Sequence, residues 1–206
     1  MKTTENNIKE LLVIDLEATC WDGPTPSGQE SEIIEIGLCR VDLKAGESRE
    51  IRSILVRPER SEVSAFCTEL TTLTPEMVAG GVSFAEACAE VNQHRIPGGV
   101  WASFGDYDRK QFVRQCESFG VPYPFGSRHI NLKRVFAETR SSGRPVGMAR
   151  ALRMLDLPLV GTHHRGSDDA ANIAQIAIAL YRAGCLPYFP LPKHGASLRG
   201  GTQTVR

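Results

Sequence analysis

Residues 11–16 form a short apolar run of strand-forming side chains broken only by Asp15, and residues 33–41 and 51–56 repeat that signature on either side of a turn at Gly46. Three consecutive strands are therefore expected to open the fold. Between the first two, residues 21–31 carry Gly23, Pro24, Pro26 and Gly28, which predicts an irregular loop beside the end of the first strand. Helix signals follow. Thr74-Pro75-Glu76 offers an N-cap with proline at the first helical position, and Ser83-Phe84-Ala85-Glu86 is a capping box that opens an apolar series through Cys88 and Val91. A fourth strand is expected at 100–104, a helix at about 108–119 and a fifth strand at 128–132. Short helices at 133–139 and 148–155 precede a long one at about 168–183. This order predicts an α/β fold with a mixed five-stranded sheet flanked by helices.

Length and charge narrow the partners. The 206 residues suit one compact domain, expected at 11–184, with an N-terminal extension at 1–10 and a loosely held tail at 185–206 that contains Pro187, Pro190 and Pro192. Lys plus Arg and Asp plus Glu both number 24, so the chain lacks the net positive field of many non-specific duplex binders. Any nucleic acid must be gripped locally. The six cysteines are scattered without a C-x-x-C pair, which reads as reduced thiols. No apolar h-region opens the sequence and no run of 18 apolar residues occurs, so a cytoplasmic protein with no membrane partner is expected.

The chemistry lies in a few acids. Asp15 and Glu17 stand two apart at the end of the first strand, so the pleat turns both to one face. Adjacent carboxylates repel unless a cation sits between them. On the long helix, Ala170, Ile173, Ala174, Ala177, Leu180 and Tyr181 form the buried stripe, and Asp169 flanks it one turn before Ile173. Ser167 is the expected cap, with Asp168 meeting the helix dipole from the solvent side. Asp108, not Asp106, shares the face of Phe112, Cys116 and Phe119, which leaves Asp106 as a capping residue. His164 is five residues before Asp169, a rotation of about 140° on a helix. For both to reach one site, His164 must lie in the 161–166 loop, where Gly166 supplies the freedom to bend inward. A loop histidine suits a general base, since imidazole titrates near neutrality. Taken singly, His163 and His164 each read as surface histidines.

Together these residues resemble the DEDDh 3′→5′ exonucleases, a family with the ribonuclease H-like fold. Ile14-Asp15-Leu16-Glu17-Ala18-Thr19 is similar to the family's first motif, Gly105-Asp106-Tyr107-Asp108 to its second, and His164 through Asp169 to its H-x4-D third. Asp15 through Trp21, Val56-Arg57-Pro58, residues 66–71 and His164 through Asp169 are similar to the RNA-trimming branch that includes the three-prime histone-mRNA exonuclease. Thr72 stands where sequences of that branch carry a glycine.

The resemblance implies that Asp15, Glu17, Asp108 and Asp169 hold two Mg²⁺ or Mn²⁺ ions, which all-oxygen ligation favours over zinc. It makes His164 the acceptor of a proton from the attacking water. The substrate would be the 3′ end of single-stranded RNA or DNA, released as nucleoside 5′-monophosphates. Leu16, Ala18, Phe66, Leu70 and Tyr107 are the substrate-facing candidates, with aromatic stacking the usual means of holding an unpaired base. Arg165 either approaches a phosphate or is an ordinary surface arginine, and Trp21 either touches substrate or pins its own loop. A DNA-trimming or proofreading enzyme would use the same five residues. A non-catalytic ribonuclease H-like module that binds RNA or a protein would have lost one or more of them, and all five are present.

Overall fold

The computed structural model describes residues 8–187; the expected extension up to residue 7 and the tail from residue 188 lie outside the described residues. Three strands come first, β1 (Glu10–Ala18), β2 (Ile33–Asp42) and β3 (Glu47–Leu55), followed by helices α1 (Ala65–Thr71), α2 (Pro75–Ala79) and α3 (Phe84–His94). Then come β4 (Val100–Ser103), α4 (Tyr107–Phe119), β5 (His129–Asn131), α5 (Leu132–Arg140), α6 (Met148–Met154) and α7 (Gly166–Arg182).

The strands form one five-stranded sheet in the order β3-β2-β1-β4-β5. β1 pairs antiparallel with β2, and β2 with β3; β4 lies parallel to β1, and β5 to β4. Because β1 is central, both of its faces are covered, which is why its sequence reads as nearly continuous apolar residues. Leu11 and Val13 pack on one face with α5, α6 and α7, while Leu12, Ile14 and Leu16 pack on the other with α3 and α4. Asp15 and Glu17 continue the first series, so they emerge on the α7 side of the sheet.

The caps expected of α2 and α3 are realised. Ser83 and Glu86 exchange the two bonds of a capping box, and Thr74 caps α2 with Pro75 at its start. α1 has no counterpart in the hydrophobic pattern, because only Cys67 and Thr71 of its seven residues are buried. Ile8 and Leu186, on either side of the expected domain, pack into the core and extend it at both ends. Among the described residues no helix is long and apolar enough to cross a membrane, and all six cysteines are free thiols.

Two expectations about α7 need correction. Ser167 does not cap it; the helix starts two residues earlier than expected, at Gly166, and the cap position is Arg165, whose side chain makes no capping bond. Nor does Gly166 adopt a left-handed backbone. His164 does, with φ of 66°. Gly166 matters for a different reason: its backbone lies against Gly37 of β2, so that an added Cβ on Gly166 would meet the Gly37 nitrogen at 2.8 Å and one on Gly37 the Gly166 carbonyl oxygen at 1.8 Å. Two facing glycines let the start of α7 touch the sheet beside Asp15, whose register partner is Gly37.

Candidate active site

The end of β1 brings Asp15 and Glu17 to the surface that α7 approaches, and the glycine contact draws the first turn of that helix close enough for Asp169 to join them. Carboxylate oxygens of Asp15, Glu17 and Asp169 all lie within 4.8 Å of one another. Asp169 is 4% exposed and Glu17 8%, so this is a buried acidic cluster at the floor of a cavity of about 430 Å³.

Asp108 completes the set from a third element. It lies in the first turn of α4 at 6% exposure and accepts the Leu16 N–H at 3.1 Å, which fixes it against the end of β1. Asp106 behaves differently. It occupies the cap position of α4 without a capping bond, and its carboxylate pairs outward with Arg109 at 2.9 Å and Lys110 at 3.6 Å. The helix register argued from Phe112 and Cys116 thus sorts the two aspartates as expected, but Asp106 holds surface cations instead of capping.

Both histidines stand on the cavity wall. The left-handed turn at His164 folds the loop so that the two rings stack with centroids 4.0 Å apart. His163 Nδ1 lies 2.8 Å from Asp169 Oδ2, and the His164 backbone N–H donates to the same oxygen at 3.0 Å. His164 therefore reaches the site by its ring and its backbone, while the ring engaged by Asp169 is that of His163. Asp168, on the solvent side, accepts the Thr162 N–H at 2.7 Å and ties this loop to the helix.

Crowding of negative charge shows in the proton affinities. Burial, followed by the charges of Asp108, Glu17, Asp169 and Glu35, holds the Asp15 carboxyl well above the usual range. Burial and the charges of Asp169, Glu35 and Asp108 push Glu17 up to about 8, with Arg165 opposing. Burial raises Asp108 to about 6 against the bonds it accepts. His164 is shifted down, by burial first and the neighbouring His163 second, with Asp169 opposing. Buried carboxylates so placed are costly when ionised and call for a compensating cation. The donors fit a hard divalent ion: they are oxygens, converge from three elements and face one cavity.

Of the substrate candidates, Leu16, Ala18, Leu70 and Tyr107 line this cavity, and Tyr107 is 56% exposed at its rim. Phe66 is exposed one turn earlier on α1 but does not line it. Arg165 pairs with Glu35, and neither it nor Trp21 lines the cavity. The hydrophobic pattern gave no warning of Lys133, which lines the cavity from α5 and has no carboxylate within ion-pair distance among the described residues. Nor did it single out Glu35, an acid of β2 with no solvent exposure.

Residues 12–177 match the RNase_T family model, described as an exonuclease. The chain is 28% identical over 199 residues to 3'-5' exoribonuclease 1 of Rattus norvegicus, covering 91% of this chain and 57% of that protein. It is 26% identical over 199 residues to the 3'-5' exonuclease Snipper of Drosophila melanogaster, covering 85% of this chain and 70% of the relative. Among solved structures it is similar to the nuclease domain of 3'hExo, a DEDDh family member bound to rAMP, with a TM-score of 0.78 and 26% identity over 88% of this chain and 96% of that one. This chain spans little more than half the length of the first of these relatives, 57%.

Proposed function

This chain belongs to the RNase_T exonuclease family and has its ribonuclease H-like fold, and from that premise we propose that it trims single-stranded RNA from the 3′ end, releasing nucleoside 5′-monophosphates. The observation that carries this reading is the convergence of Asp15, Glu17, Asp108 and Asp169, from three separate elements, on a cavity that also holds His163 and His164.

We assign Asp15, Glu17, Asp108 and Asp169 as the residues that hold divalent cations, two Mg²⁺ or Mn²⁺ ions by the preference of such ions for oxygen. When bound, the ions supply positive charge beside the attacked phosphate and its departing 3′-oxygen. The remaining work belongs to the protein. His164 accepts a proton from the attacking water, and its lowered proton affinity keeps the imidazole neutral and ready at neutral pH. Asp169 accepts bonds from His163 and from the His164 backbone, so one carboxylate ties the histidine loop to the acidic cluster. Tyr107 and Leu70 form the rim on which a terminal base rests, with Leu16 and Ala18 on the wall beneath. Lys133 offers a positive charge to phosphate on a wall otherwise dominated by acids.

The rat relative is an exoribonuclease, and the related DEDDh nuclease domain binds rAMP, a ribonucleotide of the product class expected here. These points favour RNA over DNA. The test is a time course with Mn²⁺ on 5′-labelled RNA and DNA of identical sequence. The expected result is a ladder that shortens one nucleotide at a time from the 3′ end, faster for RNA. Internal cuts, or faster loss of DNA, would overturn the proposal.

A further inference from the structure

Glu35 stands directly across the β1–β2 ladder from Glu17, so the two side chains share one face of the sheet. Its carboxylate is fully buried and fully occupied. It accepts from the Ser53 hydroxyl, from Arg165 Nε at 3.2 Å and Nη2 at 3.3 Å, and from the Gly166 N–H at 2.9 Å. One acid thus holds both the side chain of Arg165 and the peptide that follows it.

Arg165 lies close to the acidic cluster, because it pairs with Glu35, the register partner of Glu17 on the neighbouring strand. A guanidinium matches a carboxylate with two donors at once, and a carboxylate so occupied is withdrawn from cation ligation. An arginine on this face is therefore a competitor for any divalent ion unless another acid claims it. Backbone retreat does not offer an alternative, because the Gly37–Gly166 contact fixes residue 165 beside the sheet.

We propose that Glu35 is a positioning residue that reserves the Arg165 guanidinium, keeping it off Glu17 so that Glu17, Asp15 and Asp169 stay open to divalent cations. This rests on the cation site assigned above. Without its charge, Glu35 releases Arg165, and the guanidinium moves to Glu17 in place of the ion.

The experiment is calorimetric titration of Mn²⁺ into the purified full chain. Glu35→Gln is expected to weaken binding about 10- to 100-fold, the range typical of groups that hold a ligand without touching the metal. Adding Arg165→Met to that variant removes the competitor and should return affinity to within about threefold of the parent, a coupling that independent sites would not show. Arg165→Met alone should bind at least as tightly as the parent. If Glu35→Gln does not fold, the other two variants carry the test, since the combined variant replaces a buried ion pair with neutral groups. Parental affinity in a folded Glu35→Gln, failure of the second substitution to restore it, or a tenfold loss in Arg165→Met would each overturn the proposal. A parent that binds no Mn²⁺ would remove the cation site itself, and this inference with it.

Discussion

At the scale of single residues, the two histidines and the two aspartates of the second motif make paired tests. A general base contributes typically 10²- to 10⁴-fold, so His164→Ala should lose about that much in turnover with little change in Mn²⁺ affinity. His163→Ala removes the bond to Asp169 and the stacking on His164 but no proton acceptor, and should be milder; the opposite ranking in single-turnover rates would transfer the base to His163. Because His164 is shifted down, the acid limb of the parent's rate profile should lie below the ordinary imidazole range. Asp108→Asn should be nearly inactive, whereas Asp106→Asn breaks only the pairs with Arg109 and Lys110 and should keep most of its rate. Equal losses in the two variants would contradict the separation of a buried ligand from a surface acid. The Glu17 carboxyl gives a test of stability. Its pKa is raised from 4.5 to about 8, so its contribution to stability is fully present below 4.5 and is lost as pH rises through about 8. Asp108, raised from 3.8 to about 6, acts with the same sign at lower pH. Divalent cations favour the ionised forms, so the rise in melting temperature on adding Mn²⁺ should be larger at about pH 8.5 than at about pH 5.5. A rise independent of pH would count against the acidic cluster as the cation site.

At the scale of elements, the site depends on how closely α7 meets the sheet. Gly37→Ala drives a methyl into the Gly166 carbonyl, and forced overpacking costs typically about 1–3 kcal/mol. Since the same contact sets Asp169 against Asp15, the variant should lose Mn²⁺ affinity together with stability in parallel melting and titration measurements. Loss of stability with parental affinity would show that the helix adjusts without moving its ligand. This contact also marks the limit of what the sequence discloses. The strands, the capping box and the stripe on α7 are periodic over many residues, so their existence and order are legible. Asp15 and Glu17 follow from the pleat, and Asp108 and Asp169 from helical registers. α1 is invisible to periodicity because seven residues with two buried positions define no face. Glu35 looks like an ordinary polar position in a strand; its burial comes from α7 covering β2, a tertiary contact between residues 131 apart, as in the bond to Gly166. The stacking of His163 on His164 likewise follows from a left-handed backbone at a non-glycine residue, which no local signal specifies.

At the scale of the whole molecule, a chain of zero formal net charge concentrates its chemistry in one acidic pocket, with Lys133 on the wall and the exposed Tyr107 at the rim. The central strand of a mixed sheet supplies two acids, and helices on its two faces supply one each. On the function proposed above, cleavage requires cation binding by these four side chains. The measurement that tests this most directly is release of nucleotides from the 3′ end of labelled RNA by the purified protein, with Mn²⁺, with excess EDTA, and with Mn²⁺ restored, beside Asp15→Ala and Glu17→Ala. Stepwise release that EDTA abolishes, excess Mn²⁺ restores and either substitution eliminates in a folded protein is the predicted result. Release in EDTA at the rate seen with Mn²⁺, or parental rates in both variants, would contradict it.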